Sequence, residues 1–355
     1  MSQNRRILVA PLNWGLGHAT RCIPIIRELH RQGAEIILAS DSQALDLLKN
    51  EFPNLTAVEM PAYNITYRTG SMVWNIAGQL PKILWAVWRE HRFTQKLITQ
   101  LRLDGIISDN RYGCFTKKIP CIFLTHQLNI RTPCNALSQV VNFFNRRFIE
   151  KFDACWVPDV PGEPNLSGEL SHRVFQEKIR YVGALSRMRF FETAKKYDVV
   201  AVLSGPEPQR TYLERAIVEQ AARLPQRFLI VQGKPGEQER FFIKKNVEVV
   251  PFMASDELNE AILSSHFFIG RSGYSTIMDL ARLGIPALLI PTPGQTEQEY
   301  LAEKFQGVGI FLLQNQAELD MMKALTELPG FSGLRGDFFN EKLMENAVRD
   351  FLRAA

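Results

Sequence analysis

A histidine in a glycine-bearing turn is the first residue whose position suggests chemistry. His18 follows Gly15 and Gly17, which come after the apolar run 7–10 and precede a helix-type pattern. A strand–turn–helix unit places backbone N–H groups and the positive end of a helix dipole at the carboxyl edge of a sheet, where anionic ligands bind. An imidazole there can take a proton from a hydroxyl group or water, because its unperturbed pKa of about 6.5 lies close to working pH. His18 is therefore a candidate general base, and the alternative is a histidine that only caps the helix.

A carboxylate that could orient this histidine ends another predicted strand. Asp109 follows the apolar run 105–108, which is typical of a strand in the same sheet. Bonded to one ring nitrogen of His18, it would fix the tautomer of the imidazole and raise its basicity, as the aspartate of a catalytic triad does. The alternative is a solvated aspartate that caps the next turn. No Gly-x-Ser-x-Gly sequence occurs, so nucleophilic catalysis by serine has little support.

A second glycine-bearing turn has the composition of a phosphate-binding loop. It spans 270–276, follows the apolar run 267–269 and starts another helix-type pattern. Backbone N–H groups and hydroxyls at a helix start can hold a phosphate. Asp279, one turn further, could accept hydrogen bonds from a diol or simply stabilise the helix dipole. Two more strand-end loops, 204–208 and 291–299, could close over a phosphate and bind sugar hydroxyls.

Composition narrows the class of protein. The 355 residues are 46% hydrophobic and 22% charged, which is typical of a globular chain of two domains. The net charge of +5 fits an anionic ligand or membrane surface better than nucleic acid. Five cysteines without a Cys-x-x-Cys pair and six histidines without a His-Glu-x-x-His spacing give no support for a metal site. The first residues lack a signal-peptide pattern and no apolar run approaches the roughly 20 residues of a membrane span, so we expect a cytoplasmic protein.

Strand-like and helix-like runs alternate along the chain. Short continuous apolar runs without period-2 alternation are typical of strands buried on both faces of a parallel sheet. We therefore predict an α/β fold with two doubly wound, Rossmann-like domains facing a cleft. Its parts would be a first domain over 1–185, a linker over 186–198, a second domain over 199–339, and a C-terminal helix over 340–355 that could pack back on the first domain.

These motifs together resemble the GT-B glycosyltransferases. They are Gly-Leu-Gly-His-Ala-Thr-Arg at 15–21, Arg-Ser-Gly-Tyr-Ser-Thr-Ile-Met-Asp at 271–279, Gly-Ile-Pro-Ala-Leu-Leu-Ile-Pro at 284–291 and the Gln-rich loop that follows. The resemblance spans nearly the whole chain. It is closest to the branch containing the N-acetylglucosaminyltransferase that makes the lipid-linked peptidoglycan precursor. It implies a UDP-sugar as donor substrate and no cofactor. It also implies that 1–185 is the acceptor-side domain and 199–339 the donor-binding domain.

The same resemblance implies roles for individual residues. In that family the Arg-Ser-Gly turn binds the donor diphosphate, an acid one turn later holds the ribose, and glutamines after the next strand bind the donor sugar. Asp279 stands where the family has glutamate, and Gln298-Glu299 where it has a glutamine pair. A strand-end segment that holds the nucleobase matches 251–253. The donor-binding residues that we predict are Gly17, Ser204, Gly205, Phe252, Met253, Arg271, Ser272, Gly273, Tyr274, Ser275, Thr276, Asp279, Gln295, Gln298 and Glu299.

A segment rich in tryptophan and basic residues suggests an amphiphilic acceptor. In a helix over 74–96, one face that includes Leu80 and Leu84 would pack in the core. Tryptophan with basic residues on the outward face is typical of a helix at a lipid interface. The alternative is a Trp-lined acceptor pocket or a domain contact. The residues that we assign to this acceptor or membrane face are Trp74, Trp85, Trp88, Arg89, Arg92, His126 and Gln127.

The sequence thus predicts a metal-independent glycosyltransferase, with His18 as base and inversion implied by the resemblance. It would move a hexosyl or N-acetylhexosaminyl group from a UDP-sugar to a hydroxyl acceptor, a lipid-linked one being an option. We expect a cell-envelope enzyme in the cytoplasm or peripherally on the inner face of the cytoplasmic membrane, without a nucleic-acid partner. Two alternatives remain open. The pattern Gly-x-Gly-His-x-x-Arg-Cys also resembles a nucleotide-sugar hydrolase of pseudaminic acid synthesis, and the chain could bind a nucleotide-sugar without catalysis.

Overall fold

The computed structural model describes residues 4–63, 78–172, 177–234 and 239–355. They form two compact units. The first contains the described residues up to Ser186 together with Asp337–Ala355, and the second contains Arg187–Gly336. Each unit has its own sheet with helices packed against it, so each is treated by itself.

The sheet of the first unit is parallel and doubly wound. Its strands are β1 (Arg6–Pro11), β2 (Glu35–Ser40), β3 (Thr56–Glu59), β4 (Gly105–Asp109), β5 (Cys121–Leu124), β6 (Ala154–Val157) and β7 (Ile179–Tyr181). They lie in the order β3-β2-β1-β4-β5-β6-β7. The helices that connect them are α1 (Leu16–Arg31), α2 (Ser42–Glu51), α3 (Leu80–Gln100) and α4 (Asn135–Ile149), with a 3₁₀ turn at Gly168–Leu170.

The burial of the central strands explains why their sequences are continuous apolar runs. Every residue of β4 and β5 is buried, as are the last five residues of β1. Helices on both faces of the sheet remove such strands from water on both sides. β1 and β4 are neighbours, and Pro11 lies opposite Asp109 at their carboxyl ends. The turn that carries His18 therefore starts at the sheet edge where Asp109 ends its strand.

The second unit repeats the architecture with one antiparallel edge. Its strands are β8 (Tyr197–Val202), β9 (Phe228–Val231), β10 (Phe241–Lys244), β11 (Val247–Val250), β12 (Ser265–Gly270), β13 (Ala287–Leu289) and β14 (Leu312–Leu313), in the order β10-β11-β9-β8-β12-β13-β14. Only β10 runs antiparallel, to β11, among the described strands. The helices are α5 (Gln209–Ala221), α6 (Ser255–Leu263), α7 (Tyr274–Leu283), α8 (Thr296–Phe305) and α9 (Met321–Glu327), with 3₁₀ turns at Gln316–Glu318 and Leu328–Gly330.

The last helix, α10 (Glu341–Ala354), packs on the first unit. Phe351 is buried against Trp156 in an edge-to-face contact, with ring centroids 6.0 Å apart. Gly105 makes room for this ring, because a Cβ there would lie 2.5 Å from Phe351 Cζ. Asp350 also pairs with Arg180 at 2.9 Å. The chain thus returns to its first unit after completing the second.

The observed boundaries differ from the sequence prediction in several places. Strands β3 and β10 were not predicted, since β3 is short and half-buried and all four residues of β10 are exposed. The predicted linker 186–198 is grouped with the second unit from Arg187 onward, and β8 begins inside it at Tyr197. Residues 337–339 group with the first unit rather than with the donor-binding domain.

Candidate active site

The loop between β1 and α1 presents His18 in the first turn of the helix. Gly15 is the residue before the helix and has φ of 84°, a left-handed conformation that favours glycine. No acidic side chain occupies the first turn of α1. The Gly17 carbonyl accepts a hydrogen bond from Thr20 Oγ1 at 3.0 Å, which fixes the turn around His18. The first turn of α1 therefore contains no acid that would compensate the positive end of the helix dipole.

The structure brings His18 and Asp109 together. His18 Nδ1 lies 2.8 Å from Asp109 Oδ1. In the tautomer that donates to this carboxylate, the ring proton lies on Nδ1 and Nε2 keeps its lone pair; the Arg21 guanidinium, 2.8 Å from the same Nδ1, can only donate and favours the opposite tautomer. Among the described residues nothing hydrogen-bonds Nε2, and 14% of the His18 side chain is exposed. With the ring proton on Nδ1, the imidazole has the tautomer that a general base needs.

Arg21 is the third member of this cluster. It lies one helical turn after His18, and its guanidinium donates to both oxygens of Asp109. Its Nη2 is 2.8 Å from His18 Nδ1, and its Nη1 donates to His126 Nδ1 at 2.8 Å. The Asp109 carboxylate is fully buried, so the arginine supplies the positive charge that its burial requires. Asp109 is consequently held by two N–H groups of Arg21 and, at 3.6 Å, by the Cys22 thiol, besides its contact with His18.

The pKa values in this cluster favour a neutral base beside an ionised acid. Burial alone would raise the pKa of Asp109, but the charge of Arg21, the charge of His18 and the hydrogen bonds from both lower it to about 2. The pKa of His18 is lowered from 6.5 by its burial and then by the charge of Arg21, and Asp109 offsets these effects only in part. Asp109 therefore raises the basicity of the ring, as we expected, but burial and Arg21, which the expectation did not include, lower the pKa of His18 by more.

Two predicted acceptor residues lie near this cluster. His126 is 4% exposed and binds Arg21, so it lies in the interior and not on an outward face. Gln127 is half-buried, and its carbonyl accepts from Asn145 Nδ2 at 3.0 Å. Both follow β5, whose carboxyl end lies beside that of β4.

A second buried charge network supports the same edge of the sheet. Arg111 is fully buried and pairs with Glu90 at 2.7 Å and with Asp41. Glu90 Oε2 also accepts from Tyr63 at 2.8 Å and from the Gly113 N–H at 2.7 Å. The network ties α3 to the ends of β2 and β4. Removing one partner from such a buried set leaves an uncompensated charge, which costs about 3–5 kcal/mol.

In the second unit, the predicted phosphate turn begins α7. Gly273 precedes the helix in an extended conformation, and no acidic side chain lies in the first turn. Ser275, Thr276 and Asp279 are half-buried, whereas Tyr274 is 2% exposed and packs in the interior. A helix N-terminus without an acid in its first turn, and with the hydroxyls of Ser275 and Thr276 beside it, is suited to bind an anion.

Arg271 belongs to this turn, and its side chain is buried at 1% exposure. Its guanidinium donates to Ile290 O at 3.3 Å, Pro291 O at 3.2 Å, Gln209 O at 2.9 Å and Gln316 Oε1 at 2.6 Å. All four acceptors are neutral oxygens. Burial lowers the pKa of Arg271 to about 10, so the side chain is still cationic at neutral pH.

The glutamine-rich loop is held together by the side chains that we expected to contact the donor sugar. Gln298 is 6% exposed, and its Oε1 accepts from the Thr292 N–H at 2.8 Å. Its own carbonyl accepts from Ser272 Oγ at 2.8 Å. Glu299 Oε1 accepts from the Gly294 N–H at 2.9 Å. Gln298 thus joins the phosphate turn to the loop after β13, and Gln295 lies in that loop immediately before α8.

The remaining donor positions also lie at carboxyl ends of strands. Phe252 is half-buried and Met253 is 4% exposed, and both follow β11 closely. Ser204 and Gly205 are exposed after β8, and Gly205 has φ of 108°. Since β8 lies between β9 and β12, the loops after β8 and β12 leave the same edge of the sheet.

The tryptophan-bearing helix differs from the expected one. α3 begins at Leu80 with Pro81 in its first turn, and Trp74 lies outside the described residues. Trp85 and Trp88 are exposed, and the guanidinium of Arg89 lies 4.8 Å from the Trp85 ring centre. Apolar side chains that are about half exposed on this helix are Leu80, Leu84, Trp85 and Trp88. Our expectation that Leu80 and Leu84 pack in the core is wrong. Positions 80, 84 and 88 lie on one face of the helix, and that face is exposed.

This face continues into a groove of about 630 Å³, whose lining includes Pro61, Trp88, Arg89, Arg92 and Lys96. Arg92 lies 5.1 Å from the Trp88 ring centre. No helix in the described ranges is long and apolar enough to cross a bilayer. In the same ranges, no group of three or more histidine, cysteine or acidic side chains is arranged to hold a metal ion.

Sequence analysis did not identify Arg21 as a member of the His18–Asp109 cluster. Arg21 stands three positions after His18, a spacing that places both on one helical face, and this was the available signal.

Comparisons with known proteins agree with this architecture. Residues 199–329 match the glycosyltransferase family 28 C-terminal domain. An uncharacterized glycosyltransferase of Methanosarcina acetivorans is 23% identical over 330 residues, 83% of this chain and 81% of the relative. The UDP-N-acetylglucosamine–N-acetylmuramyl-(pentapeptide) pyrophosphoryl-undecaprenol N-acetylglucosamine transferase of Novosphingobium aromaticivorans is 24% identical over 300 residues, 81% of this chain and 73% of the relative.

A solved structure extends the likeness to the whole fold. The glycotransferase of kitacinnamycin superposes with a TM-score of 0.61 at 18% identity, covering all of this chain and 96% of the other. Three observations agree on the class of protein. They are the two doubly wound sheets, the family match over 199–329 and the names of the relatives. The chain is a glycosyltransferase of the GT-B fold, and it resembles the branch of the lipid-linked peptidoglycan precursor N-acetylglucosaminyltransferase.

Proposed function

We propose that this enzyme transfers a hexosyl or N-acetylhexosaminyl group from a UDP-sugar to a hydroxyl acceptor, with inversion and without a metal ion. The observation that carries the proposal is the His18–Asp109 pair, whose Nδ1–Oδ1 distance is 2.8 Å. We assign the ring proton to Nδ1, which makes Nε2 available as a base. The relative from Novosphingobium aromaticivorans, which uses a UDP-sugar by its name, supports the choice of donor.

In this proposal His18 removes the proton of the acceptor hydroxyl. The acceptor oxygen then attacks the anomeric carbon, the bond from that carbon to the diphosphate breaks, and UDP leaves with the bonding electrons. A single displacement inverts the anomeric centre. The proton moves to His18 Nε2, and the ionised Asp109 stabilises the imidazolium that forms. Arg21 keeps Asp109 ionised and correctly placed.

The second unit would stabilise the leaving diphosphate. The start of α7 has no acid in its first turn, and the buried cation of Arg271 lies beneath it. Backbone N–H groups and a fixed positive charge act on the charge that develops on the leaving group, and they need no reorganisation during the reaction. This division assigns the base to one unit and the leaving group to the other.

The exposed face of α3 supports an amphiphilic acceptor. Trp85 and Trp88 offer apolar surface, and Arg89, Arg92 and Lys96 offer positive charge around the adjoining groove. A lipid carrier with an anionic headgroup has both properties. We therefore propose a lipid-linked acceptor and peripheral contact with an anionic membrane surface.

Hydrolysis of the nucleotide-sugar is the second candidate. Nε2 of His18 could deprotonate water as well as a sugar hydroxyl, and the His18 side chain is partly open to solvent. The exposed tryptophans favour the transferase, because water needs no apolar docking surface.

UDP release separates these candidates. The purified protein is incubated with a panel of UDP-sugars in EDTA, with and without total membrane lipid extract, and free UDP is measured. Release that requires the lipid supports the proposed transfer, and equal release without lipid supports hydrolysis. Tight UDP-sugar binding with no release under either condition would identify a binding protein.

A further inference from the structure

His126 is a buried histidine to which the proposed reaction gives no role. Its side chain is 4% exposed, and it follows β5, whose carboxyl end lies beside that of β4. The backbone just before it is held in place, because the Thr125 N–H donates to Trp156 O at 3.0 Å on the neighbouring strand β6. The ring of His126 therefore stands at a fixed position beside the His18–Asp109 cluster.

The contact with Arg21 determines the protonation of this ring. Arg21 Nη1 lies 2.8 Å from His126 Nδ1. A guanidinium stays protonated and has no acceptor, so it must donate and His126 Nδ1 must accept. The ring of His126 is then neutral with its proton on Nε2. This tautomer is the opposite of the one that we assign to His18, in which the proton lies on Nδ1 and faces Asp109.

The guanidinium of Arg21 is a rigid plane whose three nitrogens have different contacts. Nε and Nη2 donate to the two oxygens of Asp109, and Nη1 donates to His126. The arginine side chain is 2% exposed, so water contributes little to holding it. Because the group is planar and rigid, a contact that fixes Nη1 also fixes the position of Nη2.

The position of Arg21 Nη2 matters for the tautomer of His18. Nη2 donates to Asp109 Oδ1 and also lies 2.8 Å from His18 Nδ1. An N–H of Nη2 that turned onto His18 Nδ1 would require this nitrogen to be unprotonated, and the ring proton would then occupy Nε2, where a base needs its lone pair. The orientation of one guanidinium therefore selects between an active and an inactive form of His18.

We propose that His126 is a positioning residue for the transfer, whose Nδ1 lone pair anchors the Arg21 guanidinium on Asp109 and thereby keeps the ring proton of His18 on Nδ1. The inference rests on the proposed function, because it presupposes His18 as the base. In this role His126 acts through Arg21 and Asp109 and does not touch the substrate. Its own proton stays on Nε2, and no covalent step is involved.

Three substitutions of His126 separate anchoring from packing. Asparagine places its Oδ1 close to the position of histidine Nδ1, so His126→Asn keeps an acceptor for Arg21. In His126→Gln the amide lies near the position of Nε2, and His126→Leu has no acceptor. We expect kcat for UDP release with donor and lipid to fall about 10- to 100-fold in His126→Leu and His126→Gln, as for a small misplacement of a catalytic group, and to be largely restored in His126→Asn.

Two controls accompany these rates. The Kd for UDP should equal that of wild type in all three variants, because we assign the donor diphosphate to the second unit. His172→Leu makes the same change at another histidine of the first unit. His172 donates from Nε2 to Val160 O at 2.9 Å in the loop after β6, two strands from β4, so this variant should lower the Tm without changing kcat.

The tautomer of His18 gives a readout that loss of packing alone would not move. Nitrogen NMR spectra of protein with isotope-labelled histidine rings distinguish protonated from unprotonated ring nitrogens. The signals of His18 and His126 are identified by their loss in His18→Ala and in the His126 variants. We expect a proton on Nδ1 of His18 and on Nε2 of His126 in wild type. The His18 proton should shift toward Nε2 in His126→Leu and His126→Gln but not in His126→Asn.

The outcomes separate this inference from the proposed function. An unchanged kcat and an unchanged His18 ring in His126→Leu would overturn the inference and leave the proposed function intact. Equal losses of kcat in all three variants with the His18 ring unchanged would reduce His126 to a packing role and overturn it as well. If His126→Leu does not fold, the comparison of His126→Gln with His126→Asn decides. If wild type releases no UDP, the proposed function fails, and the His18 spectra alone then support or overturn the anchoring by His126.

Discussion

The surroundings of His18, which we propose as the base, make its imidazole less basic than an isolated one. Burial and the neighbouring Arg21 lower its pKa below 6.5, and the Asp109 carboxylate only partly reverses this shift. A weaker base accepts a proton less readily, but it remains unprotonated and available over a wider range of acidic pH. The cluster thus favours a correctly oriented, neutral ring over a strongly basic one.

The pH dependence of kcat/KM should show this shift. The base works only when neutral, so the rate falls as the pH decreases through the pKa of His18, and we expect this acid limb at a pKa below 6.5. His30→Gln, which changes an exposed histidine at the end of the same helix, should leave the profile unchanged. An acid limb above pH 6.5 in the wild type would contradict the described environment of His18.

Sequence reasoning found the His18–Asp109 pair because it needs only strand order and register. Both residues follow buried runs, and neighbouring parallel strands end at the same edge of a sheet. The direction of the pKa shift was not predictable in this way. It depends on the desolvation of the ring and on a guanidinium whose side-chain path is fixed only by tertiary packing.

At the scale of elements, α10 completes the first unit. Phe351 fills the space above Gly105 and contacts the Trp156 ring. Sequence periodicity indicated a packed C-terminal helix, but the complementary glycine in β4 could not be recognised without the structure. The same limit applies to β10, whose exposed Phe241, Phe242 and Ile243 lack the burial pattern that identifies the other strands.

Phe351→Ala should destabilise the first unit by about 3–5 kcal/mol, the usual cost of removing a buried phenylalanine and leaving a cavity. Unfolding in urea is followed by tryptophan fluorescence, which reports on this unit because all five tryptophans precede residue 187. Arg353→Ala, an exposed change on the same helix, should shift stability by less than about 0.5 kcal/mol. Matching midpoints for Phe351→Ala and wild type would show that α10 adds little to the unit.

At the scale of the whole molecule, a mild net charge of +5 coexists with local concentrations of charge and apolar surface. The basic residues around the groove of α3 lie beside exposed tryptophans, whereas other cations, such as Arg21 and Arg271, are buried. Composition predicted the sign of the charge and an anionic partner. It could not separate surface cations from buried ones such as Arg21 and Arg271.

Binding to lipid vesicles tests the proposed membrane face. The protein should co-sediment with anionic phospholipid vesicles more than with zwitterionic ones, and binding should weaken as salt screens the surface charges. The double variant Trp85→Ser/Trp88→Ser should reduce binding by about tenfold, since both rings are exposed in solution and would be buried in the interface. Tyr212→Ser removes an exposed ring from α5 and should bind as wild type. Undiminished binding by the double variant would exclude this face.

The most direct test of the central claim is the rate of UDP release by His18→Ala, measured together with UDP binding. Asp109 keeps its hydrogen bonds from Arg21 in this variant, so the fold and the donor site should persist. We expect UDP release with donor and lipid present to fall about 10²–10⁴-fold, the usual effect of removing a general base, while the Kd for UDP stays that of wild type. UDP release by His18→Ala at the wild-type rate would contradict the assignment of His18 as the base.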